Sequence, residues 1–152
     1  MQLIEYPQRY TPDGCPALYL AASGAGRPGW QSEAVALLDA AGFTGTVLNP
    51  QPSRPTSGAG AADGWQEHNL RRIGAVILWC PHGAQHVRDV QRRFLHRSRT
   101  VLVVGCDLED RLQRFVHAEL LHATPALAVA TGLAATVRAA LDHLSTPGTG
   151  PR

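Results

Sequence analysis

The sequence predicts a three-layer α/β domain in which five parallel strands, in the order 2-1-3-4-5, carry helices on both faces. Two observations lead there. Five short apolar runs alternate with five stretches whose apolar residues recur at helical spacing. The crossovers between successive runs are of ordinary length for parallel strands. In this order the first and third strands are neighbours whose connections leave toward opposite faces, so a ligand crevice is expected at their carboxyl ends. Residues 21 to 31, 49 to 55 and 79 to 89 line it.

Each element has its own local reason. Met1 to Pro16 holds three prolines and no periodicity, and reads as an extended arm outside the core. Ala17 to Ala22 is an apolar first strand. A glycine-rich turn leads from it into the helix Gln31 to Ala41, where Ala34, Leu37, Leu38 and Ala41 share a face and Gly42 stops the helix. Thr46 to Leu48 is the second strand, ending in Asn49-Pro50. Residues 50 to 64, PQPSRPTSGAGAADG, form a long low-complexity loop expected to be mobile. Asp63 is placed to cap a helix over Trp65 to Ile73, and Ala75 to Trp79 is the central strand, closed by Cys80-Pro81. A helix from His86 to His96 turns Val87, Val90 and Phe94 inward, and Thr100 to Val104 is the fourth strand. The helix Leu108 to His122 is expected to bury Leu112, Phe115 and Val116. Ala126 to Ala130 and Leu133 to Leu144 complete the domain, residues 17 to 144, and Ser145 to Arg152 is a disordered tail.

Composition excludes several chemistries. A chain of 152 residues, 44% of them hydrophobic, supports one core. All 14 basic residues are arginine, and the lack of lysine rules out a Schiff-base lysine and a P-loop lysine. The net charge of +2 is dispersed, which gives no footprint for a nucleic acid polymer. Cys15, Cys80 and Cys106 are odd in number and lack metal-ligand spacing, so neither a disulfide framework nor a structural zinc is expected. The first residues, MQLIEYPQRYTPDG, do not read as a signal peptide, and no apolar run approaches a membrane span. A cytoplasmic protein with no membrane partner and no cofactor is the expectation.

Gly24-Ala25-Gly26-Arg27-Pro28-Gly29 spells G-x-G-x-x-G, but a dinucleotide site needs an acidic residue at the end of the second strand, and Asn49 stands there. A tight glycine turn is the simpler reading. His82 and His86, four apart, have no third ligand at a metal-site spacing. Cys80 reads as a small buried residue rather than a nucleophile. Asp107, Glu109 and Asp110 suit the dipole at a helix start. Glu119, on the apolar stripe seven residues after Leu112, is expected to be buried in a structural or subunit-interface ion pair. Asp89 falls in the first turns of the helix after the central strand and points away from the core stripe.

Trp30-Gln31-Ser32-Glu33 before Leu37-Leu38, Val47-Leu48-Asn49-Pro50, Trp65 with Leu70-Arg71, Ile77-Leu78-Trp79-Cys80-Pro81, and Val103-Val104-Gly105-Cys106 with Arg111 occur in an order and spacing that resemble the nucleoside 2-deoxyribosyltransferase-like family over residues 17 to 130. The resemblance implies a flavodoxin-like fold and cleavage of an N-glycosidic bond, in which a glutamate of an E-L-G segment attacks the anomeric carbon. Here Arg88-Asp89-Val90-Gln91 lies where E-L-G falls, so Asp89 replaces the glutamate. Gly74-Ala75 replaces the family's Ala-Asp, and Gln51 stands where the family carries paired basic residues.

Under this resemblance Asp89 is the catalytic candidate. Ala22, Ser23, Gly24, Trp30, Asn49, Arg54, Trp79, His82 and His86 are the substrate-binding candidates. Trp30 and Trp79 either stack a base or pack strand ends. Asn49 either bonds a sugar hydroxyl or caps the turn before Pro50, and Arg27 or Arg54 would meet a phosphate. Three readings stay open: transfer or hydrolysis on a nucleoside or nucleotide, a nucleotide-binding sensor or regulatory subunit without catalysis, and an assembly scaffold. The family likeness also implies a homo-oligomer, in which a neighbouring subunit completes a shallow crevice.

Overall fold

The computed structural model describes residues 1–21, 28–51, 62–70, 72–95 and 100–145. Within them six parallel strands form one sheet: β1 (Gln2–Glu5), β2 (Ala17–Ala21), β3 (Thr46–Asn49), β4 (Ala75–Trp79), β5 (Val101–Cys106) and β6 (Val129–Thr131). Five helices accompany them: α1 (Trp30–Ala40), α2 (Ala62–Leu70), α3 (Ala84–Leu95), α4 (Arg111–Ala123) and α5 (Leu133–Ser145). The sheet order is β1-β3-β2-β4-β5-β6. Its last five strands reproduce the expected 2-1-3-4-5 order, an arrangement consistent with a flavodoxin-like fold.

The layers follow from strand parity. Successive residues of a strand point to opposite faces, so an all-apolar run is buried on both sides. On one face Tyr19, Ala21, Val76, Leu78, Leu102 and Val104 pack with Trp65 of α2, Val87 of α3 and Leu120 of α4. On the other, Leu18, Leu20, Ile77, Trp79 and Val103 pack with Trp30, Ala34 and Leu38 of α1 and Leu133, Val137 and Ala140 of α5. Among the described residues no helix is long and apolar enough to cross a membrane.

Several boundaries differ from the sequence reading. The N-terminal arm contributes to the core instead of lying outside it: β1 pairs with β3 from Gln2↔Thr46 to Glu5↔Asn49, and Ile4 and Tyr10 are buried. Helix α2 starts at Ala62, so Asp63 lies inside it rather than at its cap, and it ends at Leu70. Helix α3 begins two residues before His86. Strand β6 starts at Val129 instead of Ala126. The bulk of the loop over 50 to 64 and the tail after Ser145 lie outside the described residues, as does the side chain of Phe94.

The largest correction is the face of α4. Leu112 and Phe115 are 73% and 65% exposed, and the helix buries Gln113 and Leu120 instead. Asp110 fixes its start, accepting from Leu112 N–H at 2.7 Å and Gln113 N–H at 3.3 Å. A carboxylate cap satisfies two otherwise unpaired amides and meets the positive end of the dipole. Asp110→Ala is expected to cost about 1 kcal/mol, read as a lower urea midpoint at unchanged slope. Gly42 does end α1 as expected: Gly42 N–H reaches Asp39 O at 2.9 Å and Phe43 N–H reaches Leu38 O at 3.0 Å, with Gly42 at φ 74°.

Candidate functional site

At the carboxyl end of β2, on the α2/α3 side of the sheet, a cavity of about 190 Å³ is lined by Tyr19, Ala21, Gln66, His86, Asp89, Val90 and Arg93. Residues 86, 89, 90 and 93 are spaced i, i+3, i+4 and i+7, which aligns them on one face of α3. The floor is rigid. Tyr19 is 1% exposed, and Trp65 packs on it with ring centroids 6.4 Å apart. Trp65 also meets Tyr6 edge-on at 5.9 Å and donates its indole N–H to the Gln8 carbonyl. The N-terminal segment therefore helps to hold the cavity floor. Burial pushes the Tyr19 phenol well above its ordinary pKa, with Arg93 pulling the other way, so the hydroxyl keeps its proton.

Helix α4 positions the segment that delivers α3. Gln113, itself buried, donates from Nε2 to the Pro81 carbonyl at 3.1 Å. Glu119 accepts from Ala84 N–H, the first residue of α3, at 3.3 Å. A carboxylate there offsets the helix dipole and anchors a backbone amide that has no partner within its own helix. Glu119 is exposed rather than buried, which corrects the sequence expectation, and its bond ties α4 to α3.

His82 N–H donates to His86 Nδ1 at 3.0 Å, and the two rings lie 5.1 Å apart. An accepting Nδ1 places the ring proton of neutral His86 on Nε2, which makes that atom a donor. Burial lowers the pKa of His86, His82 adds to the effect and Asp89 opposes it. The folded protein thus holds this imidazole less basic than the unfolded chain does. Protonation favours unfolding as the pH falls below about 6.5, and above that value the group is neutral and imposes no such penalty. Asp89 accepts from Gln85 Nε2 at 2.9 Å and sits 3.7 Å from Arg92 Nη1. Its side chain is 59% exposed, so solvent weakens that ion pair, and the residue lines the cavity.

The structure brings together Asp89 and His86, with His82 beside His86, and leaves Trp30, Trp79 and Asn49 off the cavity that Asp89 and His86 line. Trp30 and Trp79 are 3% and 2% exposed and belong to the core on the α1/α5 face, across the sheet from Asp89. Asn49 is committed to turn formation: its Oδ1 accepts from Gln51 N–H at 3.1 Å and its Nδ2 donates to Glu5 at 3.3 Å. Gln51 accepts in turn from Gln31 at 2.7 Å. His82 is exposed and acts here through its backbone N–H. Ala22, Ser23, Gly24, Arg27 and Arg54 lie outside the described residues. Cys80 is 2% exposed in the core, as a small buried residue, and adopts φ 52°, a left-handed conformation that few non-glycine residues take.

Tyr19, Gln66 and Arg93 were not singled out from the sequence. The spacing of Arg93, four residues after Asp89 and seven after His86, was the available signal. A second cavity of about 650 Å³ lies on the opposite face, with Glu33, Trp79, Asp107, Glu109 and Arg138 among its lining residues. Its three carboxylates against one guanidinium make it unfavourable for an anionic group. Among the described residues no cluster of three or more His, Cys, Asp or Glu is placed to hold a metal ion. Comparison of the chain with family models, curated proteins and solved structures yields no match to any of the three.

Proposed function

We propose that the α2/α3 cavity binds the sugar of a nucleoside or nucleotide and that Asp89 acts on its anomeric carbon, cleaving the N-glycosidic bond. The observation that carries this reading is the grouping of one carboxylate with two donors around a single small cavity: Asp89 with the Gln66 amide and the neutral His86 imidazole, over the buried Tyr19 floor. Such chemistry needs a carboxylate in line with the sugar carbon and donors for its hydroxyls.

In the proposed reaction a carboxylate oxygen of Asp89 bonds the anomeric carbon as the carbon–nitrogen bond breaks. The bonding electrons leave on the base, which takes a proton from water. Water or a second base then attacks the same carbon, and Asp89 departs as a carboxylate. His86 Nε2–H and the Gln66 amide donate to sugar oxygens, and Arg93 supplies a positive charge that suits a 5′-phosphate. The Asp89 carboxylate is open to water in the unliganded protein, and a bound sugar displaces that water and strengthens every charge interaction in the cavity.

The test is incubation with a panel of nucleosides and 5′-nucleotides, followed by chromatography for free base. Base release is expected. Saturable binding without release would assign the site to a sensor or regulatory subunit, and the absence of both would remove the reading.

A further inference from the structure

We propose that α4 is a self-complementary docking helix on which a second copy of this chain pairs antiparallel about a two-fold axis at Phe115. The inference stands on the surface of α4 and is independent of the chemistry of the crevice.

The first observation is the stripe itself. Leu112 and Phe115 are 73% and 65% exposed, and Leu108, just before the helix, is 38% exposed. Leu112 and Phe115, three apart, share one face of the helix, the pattern that normally seats a helix on a core, and Leu108 stands in the turn that leads into it. In this fold the core-facing side of α4 is formed by Gln113, Val116 and Leu120, so the row is a second apolar surface. Large exposed apolar side chains aligned in this way mark interaction surfaces.

The second observation identifies the occupant. A two-fold interface is isologous: each residue meets the one equally far on the other side of the axis. About Phe115, Arg111 and Glu119 are each four residues away on opposite sides, and Leu112 and Ala118 are each three away. Antiparallel pairing therefore sets Arg111 against Glu119 of the second copy, twice by symmetry, with Leu112 against Ala118 and the Phe115 rings at the centre. Antiparallel packing also opposes the two helix dipoles favourably. Glu119 already accepts from Ala84 N–H, and a carboxylate has acceptor sites for a guanidinium besides. The charge pattern fits a copy of this chain because it is its own complement.

The experiment is sedimentation equilibrium on the full chain from about 1 to 100 μM, a range that brackets micromolar dissociation constants. A dimer is expected for the native sequence. Phe115→Glu is expected to weaken it at least ~100-fold, the effect of removing a central aromatic anchor. Phe115 is exposed in the protomer, so thermal melts of this variant at the lowest concentration are expected to show an intact fold. Arg111→Glu juxtaposes like charges and is expected to weaken the dimer roughly 10-fold, whereas Arg111→Lys, which keeps the charge, is expected to retain most of the affinity. A monomer throughout the range overturns the proposal, even where another protein captures it. A dimer insensitive to Phe115→Glu overturns the surface, and an Arg111→Glu dimer as tight as the native one overturns the antiparallel register.

Discussion

Asp89→Asn is expected to retain binding of the nucleoside or nucleotide that the native protein cleaves while losing base release by at least ~100-fold, the scale attached to misplacing or removing one reacting group. Asparagine keeps the shape of the side chain and the acceptor that meets Gln85, which lies 2.9 Å away. It removes the negative charge that bonds or stabilises the anomeric carbon. Because the side chain is largely exposed, the substitution leaves the core untouched and the thermal midpoint is expected to hold. Loss confined to turnover, with unchanged affinity in titration, assigns Asp89 to the reaction. Full base release by the variant would remove Asp89 from that role.

Gly105→Ala is expected to destabilise the fold by about 3 kcal/mol or more, at the upper end of overpacking effects. Gly105 sits in β5 directly under α5, and a β-carbon there would lie 2.0 Å from Thr136 Oγ1 and 2.9 Å from both its Cβ and Cγ2. Thr136 is fully buried and donates its hydroxyl to the Gly132 carbonyl at 2.8 Å, so it has no open direction in which to move. Helix α5 must therefore lift from β5. The double variant Gly105→Ala/Thr136→Ala removes two of the three clashing atoms and is expected to recover more than half of the loss. Chemical denaturation of the four proteins in a double-mutant cycle reads this directly. Additive losses would show that the packing of α5 on β5 is looser than the close approach implies.

The layered sheet was legible because its information is local. ALYLA, AVILW and VLVVGC are apolar at both parities, and only strands covered on both faces use such runs. Strand β1 escaped for the opposite reason. Its burial alternates weakly, with Ile4 alone fully buried, and it is held by hydrogen bonds to β3 more than forty residues away. The face of α4 misled because Leu112 and Phe115 obey the same spacing whether the row meets a core or a partner. A buried Gln113 bonded to Pro81 carries no periodic signal at all.

The candidate site divides along the same line. Asp89 and His86 were legible as neighbours because one helix carries both. Tyr19 joined them only through the parity of β2 and the packing of α2. Trp79 was expected on the same crevice, but position 79 has the opposite parity to Leu78 and faces α1 and α5. The sheet itself stands between that indole and the carboxylate. Asn49 could be read from its sequence neighbour Pro50 as a turn residue, and its bonds to Gln51 and Glu5 make it one.

The most direct test of the account is a crystal of the Asp89→Asn protein soaked with the nucleoside or nucleotide that the native protein cleaves. The sugar is expected in the α2/α3 cavity, its anomeric carbon within about 3.5 Å of the side-chain oxygen at position 89, with Gln66 and His86 donating to its oxygens. A sugar bound instead in the larger cavity beside Trp79 and Arg138, across the sheet from Asp89, would contradict it.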